Sequence, residues 1–209
     1  MQIISHRGYW QNKSERNQRV AFERSFDAGY GTETDLRDIC GKIVISHDMP
    51  RGGEITFENV LQIMNGRNLP LALNIKADGL GNEIAYLLKK YGHTDYFTFD
   101  MSIPDMVRQV KDGINVYAGK SDIMPQPVLA DKVNGIWLDC FYSDWYGADV
   151  IDDLIANGKK VCIVSADLHS RDTAGQWHIV KQSRYLNDGG LMLCTDKPNE
   201  ATEYFYEQN

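Results

Sequence analysis

The chain has 209 residues, enough for one domain with a full core, and its hydrophobic (43%) and charged (24%) content is typical of a globular protein. The 22 basic and 29 acidic residues give a net charge of −7, and no block of Lys or Arg occurs. Because nucleic-acid surfaces are basic and a membrane span needs about 20 apolar residues, this composition speaks against both.

The cysteines and the N-terminal residues indicate the cellular compartment of the protein. The first six residues show no basic region followed by an apolar run, so we expect no secretory signal. The four cysteines are far apart and have no CxxC spacing: Cys40, Cys140, Cys162 and Cys194. Three of them lie in or beside apolar runs, so we expect reduced core thiols in a cytoplasmic protein.

Short β-branched runs alternate with amphipathic segments along the whole chain. The predicted strands are residues 2–5, 32–36 with 43–46, 71–76, 96–99, 115–118, 135–139, 160–165 and 191–195. The predicted helices are residues 20–28, 57–64, 82–91, 104–111, 148–156 and 173–186. Eight strands alternating with helices predict an α/β chain with a (β/α)8 TIM-barrel fold, in a single domain over residues 1–209. A doubly wound open sheet is the alternative.

Polar side chains occur at the ends of the predicted strands, where barrel enzymes carry their active sites. These residues are His6, Asp35, His47, Lys76, Asp100, Asp139, Asp167 and Asp196. Side chains alternate along a strand, so Glu33 and Asp35 share one face and would repel each other inside a barrel. A divalent cation would relieve this repulsion, and an internal salt bridge with Arg7 or Lys76 is the alternative.

Two histidines strengthen the functional interpretation. His6 and His47 each follow an apolar run, and two histidines can share the proton transfers of P–O bond cleavage. Arg7 beside His6 can clamp phosphate oxygens, and Gly8 would let the backbone approach closely.

Taken together, these motifs resemble the glycerophosphodiester phosphodiesterases, within the group of barrel phosphodiesterases that includes phosphatidylinositol-specific phospholipase C. The matching segments are His6-Arg7-Gly8, Asn17 with Ala21-Phe22, residues 31–35, residues 44–48, Asn74-Ile75-Lys76 and residues 195–198. The resemblance therefore spans nearly the whole chain.

The resemblance implies a role for each matching position. His6 and His47 would be the general acid and base, and Arg7 and Lys76 would contact the phosphate of a small-molecule phosphodiester substrate. Glu33, Asp35 and Asn74 would occupy the positions of the metal ligands, for Ca²⁺ or Mg²⁺. The metal would act as a Lewis acid and template. The resemblance gives no oligomeric state.

The chain departs from the family pattern at three places. Asn74 stands where the family has a third metal carboxylate, and Asp78, on the same strand face, could compensate by reaching back. The insertion that usually follows His-Asp is missing, so the site would lack its small cap. The family's Glu-Asn-Thr reads Arg16-Asn17-Gln18, which removes another carboxylate.

Other interpretations stay open. The chain could be a phosphodiester lyase of the same barrel group, or a barrel that binds a phosphorylated ligand without turning it over. The aromatic loop at residues 141–146 could stack on a sugar or alcohol, or pack on its neighbours as a lid. We expect His93, His169 and His178 to be surface residues.

Overall fold

The computed structural model describes residues 1–206. Within them the strands are β1 (Gln2–His6), β2 (Gly31–Ile39), β3 (Lys42–Ile45), β4 (Leu71–Ile75), β5 (Tyr96–Phe99), β6 (Tyr117–Lys120), β7 (Gly135–Leu138), β8 (Lys160–Val164) and β9 (Leu191–Thr195). The helices are α1 (Arg19–Asp27), α2 (Phe57–Met64), α3 (Gly81–Lys90), α4 (Ile103–Lys111), α5 (Ala148–Ala156), α6 (Ala174–Lys181) and α7 (Pro198–Tyr206). Short 3-10 turns occupy Lys13–Glu15 and Ala166–His169.

The chain divides into two compact units. The N-terminal unit is Ser5–Val116, and the C-terminal unit combines Met1–Ile4 with the chain from Tyr117 on. The alternation of parallel strands and helices through both units is that of a (β/α)8 barrel, which confirms the predicted fold class. The assignment of residues 1–209 to one domain stays a prediction.

In the N-terminal unit, β2 pairs in parallel with β4, and β4 pairs in parallel with β5. A parallel bridge between Thr98 and Val116 joins β5 to the residue before β6. The second half of β2 extends beyond β4 and forms an antiparallel hairpin with β3. The sheet residues are buried on both faces, because helices such as α1 and α2 pack phenylalanine and aliphatic side chains against it.

In the C-terminal unit, β6, β7, β8 and β9 pair in parallel in that order. The interior positions of these strands are buried and mostly apolar, as burial on both faces requires. The described connection 121–134, between β6 and β7, contains turns and no helix, whereas α5 and α6 follow β7 and β8.

The observed elements differ from the predicted ones mainly at their ends. Helices α2 and α5 have the predicted bounds, whereas α6 ends at Lys181 instead of residue 186. The buried Ser183 donates a hydrogen bond to Asp152 of α5 (2.6 Å), and this tertiary contact holds the segment away from the helical path. Helix α7 was not predicted, although Pro198 at its first position and buried Ala201 and Phe205 are helix signals.

The cysteine and membrane predictions have separate outcomes. Cys140, Cys162 and Cys194 are buried free thiols, as predicted, whereas Cys40 is exposed in the β2–β3 turn. The helices among the described residues are too short and too polar to cross a bilayer.

Gly135 offers a test of the packing in the C-terminal unit. A Cβ atom at Gly135 would lie 2.5 Å from the Tyr117 ring and 2.6 Å from the Lys160 carbonyl oxygen. We expect Gly135→Ala to lower the free energy of unfolding by about 1–3 kcal/mol, because both neighbours belong to paired strands that cannot retreat. Urea unfolding followed by circular dichroism measures the loss. Gly189→Ala is the control, since a Cβ atom there meets nothing within 4 Å. Equal stability of the two variants would contradict the prediction.

Candidate active site

Strand register in the N-terminal unit places the predicted metal-binding positions side by side. Glu33 and Asp35 lie on β2 with 1% and 0% of their surface exposed. Asp35 is paired in register with Asn74 of β4, so their side chains project from the same face of the sheet. The sequence therefore located these three positions correctly, although their role as ligands stays a prediction.

The turn after β1 brings Arg7 to these carboxylates. Arg7 adopts a left-handed backbone (φ 60°), its N–H donates to the Glu33 carbonyl (2.9 Å), and its own carbonyl accepts from Asn17 N–H (2.9 Å). Such a conformation costs energy in a residue with a side chain, and the two hydrogen bonds hold it in place. It directs the Arg7 guanidinium towards Asp35.

The structure requires glycine at position 8 for a different reason from the one we expected. Its φ is 83°, and a Cβ atom there would lie 2.7 Å from the Cβ of Ala21 in α1. Its N–H donates to the Thr32 hydroxyl (2.9 Å). The close approach that glycine permits is therefore to helix α1, and the Gly8 N–H is occupied by the protein itself.

Asp35 takes part in the internal salt bridges that the sequence left as an alternative. Arg7 Nε lies 2.9 Å from Asp35 Oδ2, and Lys76 Nζ lies 3.5 Å from Asp35 Oδ1. Asn17 Nδ2 also donates to Oδ2 (2.8 Å), while Asn17 Oδ1 accepts from the Thr34 hydroxyl (2.9 Å). Asn17 thus fixes the orientation of Asp35, a contribution that the sequence showed only as a motif match.

Glu33 is in a different electrostatic position from Asp35. His6 Nε2 lies 3.8 Å from Glu33 Oε2. Burial, followed by the negative charge of Asp35, raises the pKa of Glu33 to about 7, although His6, Arg7 and Lys76 act in the opposite direction. At neutral pH this carboxyl group therefore exchanges a proton readily.

The oxygen atoms of this site fit a hard divalent cation. Within residues 1–206, Glu33 Oε2, Asp35 Oδ1 and Asn74 Oδ1 are buried and have no hydrogen-bond partner. Carboxylate and amide oxygens are the donors that Ca²⁺ and Mg²⁺ take. The described residues bring together no group of three or more His, Cys, Asp and Glu side chains suited to a metal. A metal held by Glu33 and Asp35 would therefore need the Asn74 amide oxygen as its third donor.

His47 lies apart from these contacts. It follows β3, its side chain is 50% exposed, and its Nδ1 lies 2.9 Å from Asp48 Oδ1. The backbone carbonyl of His47 accepts from Arg37 Nε (3.1 Å). Arg7 contributes to lowering the pKa of Asp48, after the larger effects of His47 and Arg37, so this loop lies within electrostatic reach of Arg7. The described contacts of His6 and His47 do not join the two rings.

The contacts of Asp78 in the structure are with Ser102 and do not support its reaching back to Asn74. Asp78 accepts hydrogen bonds from the backbone and hydroxyl of Ser102, the residue before α4, and it lies in a turn beyond β4. Asn74 Nδ2 instead donates to Asp100 Oδ2 (3.3 Å), at the end of the neighbouring strand. Asp100 was noted at a strand end, but its contact with Asn74 depends on strand order, which the sequence did not give.

The C-terminal unit contains a further polar cluster at its strand ends. His169 Nε2 lies 2.7 Å from Asp139 Oδ1, and burial raises the pKa of Asp139 while His169 opposes this. His169 is therefore not the simple surface residue we expected, and His93 is buried. Only His178 is exposed as expected.

The aromatic loop at 141–146 in the same unit mostly packs on its neighbours. The Phe141 ring lies 4.8 Å from the His169 ring, Trp145 Nε1 donates to the Asp139 carbonyl (2.7 Å), and Tyr146 is buried. Tyr142 projects outward, with 80% of its surface exposed, and Phe141 is partly exposed (39%). These contacts favour the packing interpretation over stacking on a ligand.

Comparison with known proteins supports this architecture. No family model and no curated protein sequence matches the chain. A structure described as glycerophosphodiester phosphodiesterase from Agrobacterium tumefaciens str. C58 superposes with a TM-score of 0.71 at 14% identity, covering 98% of each chain. A phosphodiesterase from Oleispira antarctica, in complex with the product sn-glycerol-3-phosphate, gives 0.66 at 17% identity, covering 98% of this chain and 96% of the other.

The chain has the fold of these two phosphodiesterases. At this level of identity the likeness establishes the fold, and the family resemblance seen in the sequence agrees with it.

Glu33 makes the metal-free protein depend on pH. Because its folded pKa of about 7 exceeds the ordinary 4.5, the folded chain binds more protons than the unfolded chain between these values. The contribution of Glu33 to stability is present below 4.5 and is lost as the pH rises through about 7. We therefore expect Glu33→Gln to stabilise the metal-free protein, on the order of 1–3 kcal/mol at about pH 8 and far less at about pH 5.

Urea unfolding in the presence of EDTA, at both pH values, measures this difference. Glu203→Gln changes an exposed glutamate of α7 and serves as the control. The interpretation fails if Glu33→Gln changes stability equally at both pH values.

Proposed function

We propose that this chain hydrolyses a small phosphodiester of the glycerophosphodiester class, with the help of a divalent metal ion. The observation that carries the proposal is the set of three buried oxygens without hydrogen-bond partners, on Glu33, Asp35 and Asn74, within residues 1–206. Two cationic side chains, Arg7 and Lys76, contact the same site. The Oleispira antarctica neighbour, bound to sn-glycerol-3-phosphate, supports a glycerol-type substrate.

Glu33, Asp35 and Asn74 would hold the metal through oxygen atoms. When bound, Ca²⁺ or Mg²⁺ supplies Lewis-acid stabilisation of the charge that develops on the phosphoryl oxygens. Arg7 and Lys76 neutralise Asp35 in the structure, and both are partly exposed (20% and 22%), so they can turn to phosphate oxygens when Asp35 ligates a cation. Glu33 loses its proton for this purpose near neutral pH, because its pKa is about 7.

His6 and His47 would carry the proton transfers. One takes the proton of the attacking hydroxyl or water, and the other protonates the leaving oxygen. Asp48 orients the His47 ring through Nδ1, as a carboxylate commonly does for a proton-transferring histidine, which directs Nε2 away from Asp48. His6 lies at the rim of the buried site, with 15% of its side chain exposed, next to the carboxyl group of Glu33.

A second function is favoured by a specific observation. Asp35 is already neutralised by Arg7 and Lys76, and Asn74 has no charge to attract a metal. A barrel with these features could bind a phosphorylated ligand through the two cations without cleaving it. Retention of both histidines favours hydrolysis, since ligand binding alone requires no proton transfer.

Metal dependence is the first test of the proposed hydrolysis. With bis(4-nitrophenyl) phosphate or a glycerophosphodiester as substrate, we expect activity to vanish in EDTA and to return with Ca²⁺, Mg²⁺ or Mn²⁺. Phosphorus NMR of the product distinguishes hydrolysis, which gives a monoester, from a lyase reaction, which gives a cyclic phosphate. Activity that persists in EDTA would contradict the metal assignment, and binding of glycerol 3-phosphate without turnover would favour the second function.

The histidine roles are tested by substitution. We expect His6→Ala and His47→Ala each to lower kcat by on the order of 10²–10⁴, because each removes an acid or base from the transition state. His178→Ala, an exposed histidine of α6, is the control and should retain full activity. Full activity of either site variant would exclude that histidine from proton transfer.

A further inference from the structure

Asn74 differs from a carboxylate in having two chemically different ends. Its Oδ1 can ligate a cation, whereas its Nδ2 carries two protons and repels one. The side chain lies on β4 beside Asp35 and is 92% buried, with 8% of the residue exposed. A metal site that uses Asn74 therefore depends on which end of the amide faces Asp35.

Asp100 determines that orientation. Its Oδ2 accepts a hydrogen bond from Asn74 Nδ2 (3.3 Å), and the oxygens of a carboxylate accept hydrogen bonds only. The amide nitrogen is thereby held on the Asp100 side. The other end, Oδ1, is buried and has no hydrogen-bond partner among residues 1–206.

Strand order explains how Asp100 reaches this position. Asn74 is paired in register with Phe99 of β5, and Asp100 is the next residue after that strand. Asp100 adopts a left-handed backbone (φ 62°), a conformation that aspartate tolerates better than most residues. The carboxylate thus adjoins Asn74 from the neighbouring strand while it remains in contact with solvent.

Charge gives Asp100 a second effect. Arg7 and Lys76 offset the charge of Asp35, and the raised pKa of Glu33 reduces the negative charge there. The Asp100 carboxylate stands next to Asn74, the position that lacks a carboxylate. The orientation effect and the charge effect predict different results in a double-mutant cycle.

We propose that Asp100 is a positioning residue that turns Asn74 Oδ1 towards a divalent cation held by Glu33 and Asp35. This inference rests on the metal site of the proposed function. In this arrangement an amide on β4 and a carboxylate at the end of β5 together replace a single carboxylate. Asp100 acts through Asn74 and does not ligate the cation itself.

The test is a double-mutant cycle on cation affinity, measured by calorimetric titration of metal-free protein with CaCl₂ and MgCl₂. We expect Asp100→Asn to weaken binding by on the order of 10-fold, because the new amide can pair with either end of Asn74. In the Asn74→Asp background both ends are oxygens and need no orientation. There, Asp100→Asn should lower affinity only by the loss of its charge, a smaller decrease than in the Asn74 background.

Asp78→Asn is the matched control. It removes the same charge from another exposed aspartate of the N-terminal unit, one that contacts Ser102 and not Asn74. Its cation affinity should equal that of wild type. Far-UV circular dichroism and thermal unfolding verify that every variant is folded.

Each outcome decides the question. An unchanged cation affinity in Asp100→Asn would overturn the positioning role. An equal loss of cation affinity in the Asn74 and Asn74→Asp backgrounds would overturn it as well, because such a loss reflects only the charge of Asp100. A wild-type protein that binds neither Ca²⁺ nor Mg²⁺ would overturn it too. If the cycle gives the expected pattern but no diester is hydrolysed, the positioning role stands and the proposed hydrolysis fails.

Discussion

The buried charge of Asp35 is the constraint on which the candidate site depends. A fully buried carboxylate without partners would cost several kcal/mol, so the chain must bring donors to it. Three segments do so: the turn after β1 supplies Arg7, the segment before α1 supplies Asn17, and the end of β4 supplies Lys76. The left-handed backbones of Arg7 and Asn17 are part of this arrangement, because each is hydrogen-bonded to the other.

Glu33 and Asp35 show how the same residue class on one strand acquires two different properties. Asp35 lies beside Arg7, Lys76 and Asn17, whereas Glu33 lies 3.8 Å from His6 and has a pKa raised to about 7. A carboxyl group with a pKa near 7 can release its proton when a divalent cation binds beside it. Glu33 and Asp35 therefore suit a cation that binds reversibly better than a structural cation that the fold requires.

Much of this was predictable from the sequence, and the rest required the strand register. Alternation of apolar runs and helix stops predicted the barrel and the bounds of α2 and α5, and strand parity placed Glu33 and Asp35 together. The roles of Asn17 and Asp100 were not predictable, because each depends on a contact between segments distant in the chain. The same limit applies to Asp78, which the sequence offered as a possible substitute for Asn74: side-chain parity continues only while the strand does, and β4 ends at Ile75.

His6 and His47 lie on elements that differ in their stability against local opening. His6 ends a strand that runs into the core, while His47 follows β3, a four-residue strand that pairs with β2 and has a single bridge, Val44 to Thr56, on its other side. Short edge hairpins open locally at a lower free energy than the sheet that carries them. A slip of one residue in the pairing of Leu36 with Ile45 would also turn every β3 side chain to the opposite face. The barrel can therefore stay folded while the β2–β3 hairpin opens and carries His47 away from the site. The stability of this hairpin then determines the fraction of molecules in which both histidines are in place.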